Sequence, residues 1–224
     1  MLYWIIMSTV FFCLFFADTL LAIYEAGPKG DAKRYAPVKT LLMPLLFLGC
    51  ALLREEPALL PLAALFFGWL GDILLLAKQR KKLFLLGMLA FAVGHILYTV
   101  ACLRLSGGAS VPELLAAGLF FVIYAVFLYA GKPRLTMLRG KLAAAATVYG
   151  FLLALFGFSA ALLCLRRRTA AAGLVLVGAI LFIFSDSMLS LQAFRKKTKG
   201  GHMIVIGTYC AAQACIAVGL TLLN

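Results

Sequence analysis

Residues 57–77 read PALLPLAALFFGWLGDILLLA. The stretch holds a single charge, Asp72, in an otherwise apolar run. A helix that crosses a membrane needs about 20 mostly apolar residues, so this stretch predicts a spanning helix. Pro57 and Pro61 fall at its start, where a missing N–H costs little. The same reading carried outward predicts spans at about 2–24, 36–53, 83–104, 112–130, 142–165, 169–191 and 203–223. The span at 36–53 is the weakest, being short and holding Pro37, Lys39 and Pro44. The expected fold is all-α: a polytopic membrane protein of eight transmembrane helices, with residues 1–224 forming one integral membrane domain.

Composition agrees. Hydrophobic residues make up 65 % and charged residues 13 % of the chain, with mean hydropathy +1.06. Soluble domains are about half apolar and a quarter charged, so a soluble enzyme is excluded, and so is disorder. The N-terminal run lacks a basic leader segment and continues past Asp18 to Tyr24, which reads as a mature helix rather than a cleaved signal. Six cysteines lie in apolar runs without a C-x-x-C, so they read as small buried hydrophobes rather than disulfides or zinc ligands.

The charge balance is 21 Lys+Arg against 8 Asp+Glu. Sixteen of the basic residues fall in alternate loops, around 29–39, 78–82, 132–141 and 195–199. The opposite loops hold Arg54, Arg104 and Arg166–Arg168. The basic side is therefore expected to be cytoplasmic, with both termini on the other side. In a bacterium the membrane would be the inner one. Topology explains the basic excess, and no nucleic-acid partner is implied. Membrane lipids are the expected partners of the basic loops.

A weak repeat accompanies this pattern. Gly71-Asp72-Ile73-Leu74-Leu75 aligns with Ser185-Asp186-Ser187-Met188-Leu189 at an offset of 114. Lys81-Lys82, Gly87 and His95 then meet Arg195-Lys196, Gly201 and Tyr209. A 4+4 internal repeat is one explanation; coincidence in low-complexity apolar sequence is the other.

Three acids sit inside apolar runs: Asp18, Asp72 and Asp186. A charge near a membrane-helix centre costs about 2.5–3.5 kcal/mol, so it marks function by default. At about 1.5 Å per residue, Asp72 lies about 9 Å and Asp186 about 13 Å from the basic loops. Lys39 lies about 8 Å in, and His95 about 20 Å. Tyr209 and Gln213 are similarly deep. His95 and Tyr98 share one helix face, as do Tyr209 and Gln213. These groups are expected to converge on one cavity open to the cytoplasmic leaflet.

Each residue also has a plainer reading. Asp72 and Asp186 could be structural, held by neighbouring polar groups. Asp18 could snorkel or pair with Lys39, and Lys39 could be a helix-end lysine. His95 could be a satisfied interior histidine. Tyr209 and Gln213 could be packing hydrogen bonds. Tyr124 and Tyr149 read as packing or interfacial residues. Ser185 and Ser187 read as bonding their own backbone, with Ser187 kept as a substrate contact.

Several chemistries find no motif: no G-x-S-x-G elbow, no Walker sequence, no G-x-G-x-x-G, and only one intramembrane histidine. Two carboxyls in an apolar site remain. Burial favours the protonated form of one, while polar or cationic neighbours keep the other ionised.

The sequence resembles the lysoplasmalogenase family of integral membrane proteins (YhhN-like). The resemblance rests on Val38-Lys39-Thr40 with the following Leu41-Leu42-Met43-Pro44, on Gly71 to Leu75, and on Phe91 to Tyr98 with Gly94-His95. Phe184-Ser185-Asp186-Ser187 and Tyr209 to Gln213 complete it. Thr40 departs from the proline expected after the lysine. The resemblance implies hydrolysis of the vinyl-ether bond of a lysoplasmalogen, giving a fatty aldehyde and a glycerophospho-ethanolamine or -choline. Asp72 and Asp186 are then the expected catalytic pair, their division of labour open. Lys39, His95, Tyr98, Ser187, Tyr209 and Gln213 are the expected substrate contacts, and no metal or other cofactor is called for. The rival readings are a proton- or cation-coupled transporter using the same aspartates, and a non-catalytic scaffold. Oligomeric state has no sequence signal.

Overall fold

The computed structural model describes residues 2–76, 81–126, 141–194 and 200–224. These form helices α1 (Leu2–Glu25), α2 (Ala32–Ala51), α3 (Leu59–Leu76), α4 (Lys81–Ser106), α5 (Val111–Ala117), α6 (Lys141–Arg167), α7 (Ala170–Phe194) and α8 (Gly201–Leu223). Among the described residues there is no strand. α5 opens an apolar helical stretch, Val111–Val126, capped at its start by a Ser110–Glu113 capping box. The remainder of the span expected at 112–130 lies outside the described residues. So do most of the basic residues of the loops around 78–82, 132–141 and 195–199.

Among the described residues, six helices are long and apolar enough to cross a membrane: α1, α3, α4, α6, α7 and α8. α2 is 20 residues long, but Lys33, Arg34, Lys39 and two prolines dilute its apolar character. It begins at Ala32, ahead of the expected 36, because Asp31 caps it by accepting from the Lys33 N–H at 2.9 Å.

Neighbours in sequence pack side by side from α1 to α4; α4 then packs on α6, α6 on α7 and α7 on α8. α8 closes the ring against α1 and also touches α2, α3 and α4. It is the most enclosed span and α1 the most exposed. α5 packs on the outside, against α6. The core runs through Phe15, Leu46, Leu65, Tyr98, Phe156, Phe182 and Ile216, all buried. All six cysteines are free.

Pro44, inside α2, cannot donate to the carbonyl of Thr40 one turn earlier. The indole N–H of Trp69 on α3 donates to that carbonyl at 3.0 Å instead. The sequence defect in one helix is thus satisfied by the next, which fixes α2 against α3 just beside Lys39.

Candidate active site

The polar residues gather toward the end of the bundle where α2, α6 and α8 begin and α3 and α7 finish. Counted from those helix ends, Lys39, Asp72, Tyr149, Asp186 and Tyr209 lie about 6–12 Å inward. Five helices therefore deliver side chains to one layer.

Asp72 is the best-held group. It is 1 % exposed. Lys39 Nζ lies 2.9 Å from its Oδ1, and the Tyr209 hydroxyl donates to its Oδ2 at 2.7 Å. Behind Tyr209, the Gln213 amide donates to the phenol oxygen at 3.4 Å. Tyr98 donates to the Gln213 carbonyl oxygen at 2.8 Å. Every donor in this chain points toward Asp72, the pattern that holds a carboxylate as an anion. Gly68 makes room for it: a Cβ there would lie 3.2 Å from the Gln213 amide nitrogen. Gly71 does the same for Phe91, whose ring a Cβ would meet at 2.7 Å.

Asp186 sits in a second arm. The Tyr149 hydroxyl donates to its Oδ2, and His95 Nε2 lies 3.2 Å from the same phenol oxygen. With Asp186 ionised, Tyr149 donates to it and Nε2–H donates to Tyr149. With Asp186 protonated, the same heavy atoms hold the reverse order: Asp186 donates to Tyr149, Tyr149 to Nε2, and the imidazole proton sits on Nδ1. Nδ1 is buried and has no hydrogen-bond partner. No cation touches Asp186 among the described residues, in contrast to Asp72.

An aromatic wall lies between the arms. The Phe182 ring is 4.6 Å from His95 and 5.6 Å from Tyr209. Phe91 packs edge-on against both Phe182 and Tyr209.

Of the expected site residues, Lys39, Asp72, Tyr98, Tyr209 and Gln213 form one network, and His95 joins Asp186 in the other. Ser187 does not enter either: its hydroxyl donates to Ile183 O of its own helix at 2.7 Å. Ser185 departs from its expected local bond and donates across to Val205 O on α8 at 3.0 Å. Lys39 pairs with Asp72 rather than with Asp18, whose Oδ2 is buried without a partner. Tyr149, expected as a packing or interfacial residue, bonds both Asp186 and His95 in the second arm. Its depth gives the signal: it lies eight residues inside Lys141, as Asp186 lies nine before Arg195. Trp69 likewise carried no polar signal in sequence.

The sequence profile of the YhhN family matches residues 34–220, which includes every member of both networks. The chain belongs to the YhhN family. It is also similar to a curated protein, lysoplasmalogenase TMEM86A of Bos taurus, at 32 % identity over 197 residues. That alignment covers 81 % of this chain and 74 % of the relative. No solved structure matches it. Family membership and six apolar spans together make this YhhN chain a multi-pass membrane protein. The match starts at residue 34, so α1 with Asp18 stands outside the part shared with the family.

Proposed function

We propose that this protein hydrolyses the vinyl-ether bond of a lysoplasmalogen, releasing a fatty aldehyde and a glycerophospho-ethanolamine or -choline. The observation that carries the reading is the unequal setting of two aspartates, Asp72 buried and Asp186 partly buried. Asp72 accepts from a lysine ammonium and a phenol. Asp186 has a phenol and, among the described residues, no cation within salt-bridge distance. The first is suited to stay a carboxylate and the second to hold a proton. The similarity to a curated lysoplasmalogenase supports the substrate class.

Vinyl ethers react by protonation at the carbon β to oxygen. In our reading Asp186 gives its proton to that carbon, the C=C pair forming the new C–H bond, and an oxocarbenium ion results. The Asp72 carboxylate stabilises the developing positive charge. Water adds to the cation, its proton returns to the Asp186 carboxylate, and the hemiacetal collapses to aldehyde and alcohol. Tyr149 and His95 hold Asp186 in place, and Tyr209 with Gln213 orients Asp72.

The membrane arrangement belongs to the same proposal. Eight spans, the six apolar helices together with α2 and the stretch that α5 opens, put both termini on the non-cytoplasmic side under the positive-inside bias. The site then lies in the cytoplasmic half, at the depth of a lysolipid's glycerol and first chain carbons. A 114-residue repeat would also set Tyr35 against Tyr149, with Lys39 opposite Leu153. Among the described residues, the ion pair with Lys39 is what distinguishes Asp72 from Asp186. Chromatography of products from vinyl-ether and ester lysolipids tests the reading: aldehyde from the first alone supports it, and products from the ester alone refute it.

A further inference from the structure

Beside the site, α2 and α3 enclose an apolar groove of about 280 Å³ that no part of the chemistry above uses. Met43 and Leu65 form its floor and are both fully buried. Its walls are Pro44 and Phe47 on α2 and Phe66 and Trp69 on α3, with Leu48 and Phe66 exposed along the rim. A slightly larger cleft, about 310 Å³, lies at the far end of the bundle around Pro57, Arg104 and Leu220, away from both aspartates.

The groove lies along the helix faces that carry the site. Met43 is one turn after Lys39 on the same face of α2, and Leu65 is two turns before Asp72 on the same face of α3. The floor is therefore the continuation of the faces that carry the Lys39–Asp72 pair. Trp69, held by the carbonyl that Pro44 leaves free, stands at the end nearest that pair. From Lys39 to Phe47 the helix rises about 12 Å, enough for a run of methylenes. The groove points away from the helix ends that carry the basic residues, the direction a lipid tail takes when its headgroup stays at the surface.

We propose that this groove seats the hydrocarbon chain of the lysolipid, with the vinyl-ether carbons at the Trp69 end and the chain leaving sideways into the bilayer between α2 and α3. The proposal rests on the lysoplasmalogenase reading and adds where the chain lies and what sets its length. Lipid is as apolar as the groove, so transfer into it supplies little driving force. Its effect is steric: it selects chains that fit.

Two measurements test this. In the first, aldehyde release is measured on a series of chain lengths. Leu48→Trp, at an exposed rim position, narrows the groove. It is expected to lower the ratio of long-chain to short-chain kcat/KM by roughly tenfold or more, the discrimination a pocket achieves at the level of single methylenes. Phe66→Ala, also on the exposed rim, is expected to raise that ratio. Unchanged ratios in both folded variants would overturn the proposal. In the second, a saturated-ether lysolipid with a diazirine at the chain end is photolysed on the wild-type protein. Adducts within 43–48 and 65–69 are expected; adducts on α4 and α7 alone would overturn it. The labelling needs no turnover. A wild type that releases no aldehyde but labels in the groove would therefore refute the activity and leave the chain site standing.

Discussion

Lys39 Nζ and Asp72 Oδ1 lie 2.9 Å apart across the α2–α3 interface, both side chains almost removed from solvent. Breaking a buried pair from one side leaves an uncompensated charge, at a cost of about 3–5 kcal/mol. Lys39→Met and Asp72→Asn should each lower stability by about that amount, measured by unfolding of the purified protein in detergent. The double variant should be more stable than either single one. Additive losses would show that the pair is not coupled.

Asp186 should behave differently. Asparagine can donate to Tyr149 or accept from it, so Asp186→Asn is expected to melt close to the wild type. Its turnover should fall by about 10²–10⁴-fold, the range general acid–base groups supply. A thermal melt run beside a rate assay checks both halves of this expectation.

Tyr149 is the sole hydrogen-bond partner of both Asp186 and His95 Nε2 among the described residues. Tyr149→Phe removes both bonds and strands buried polar groups, at about 1–3 kcal/mol. The expected kinetic signature is a fall in kcat with little change in KM, because Tyr149 acts on the acid rather than on the lysolipid. A change in KM alone would assign Tyr149 to substrate binding instead.

Trp69→Phe leaves the Thr40 carbonyl without the indole donor, at about 1–3 kcal/mol. Pro44→Ala restores the backbone N–H that this carbonyl lacks. The double variant Trp69→Phe/Pro44→Ala should therefore recover stability lost by Trp69→Phe, as seen in unfolding midpoints. Failure to recover would mean that the indole contributes by packing rather than through its hydrogen bond.

The sequence made the acids legible because charge is costly in an apolar run, and Asp72 and Asp186 stand alone in theirs. The helices were legible for the same reason, except where local chemistry overrode hydropathy: Asp31 starts α2 earlier than its apolar run does. Partners were harder to read. Lys39 has a long side chain, and depth alone did not separate Asp18 from Asp72 as its counter-ion. Tyr149 escaped because a tyrosine near a helix end is ordinary in membrane proteins. What marks it is a phenol aimed at Asp186, a fact of tertiary packing. Trp69 escaped because its function depends on a proline in another helix.

The central claim is that Asp72 and Asp186 divide the work of vinyl-ether hydrolysis. The most direct test is aldehyde release from a lysoplasmalogen by purified wild type, Asp72→Asn and Asp186→Asn, each shown to be folded. The account predicts turnover by the wild type and a loss of about 10²-fold or more in both variants. Wild-type turnover by either folded variant, or none by the wild type itself, would contradict it.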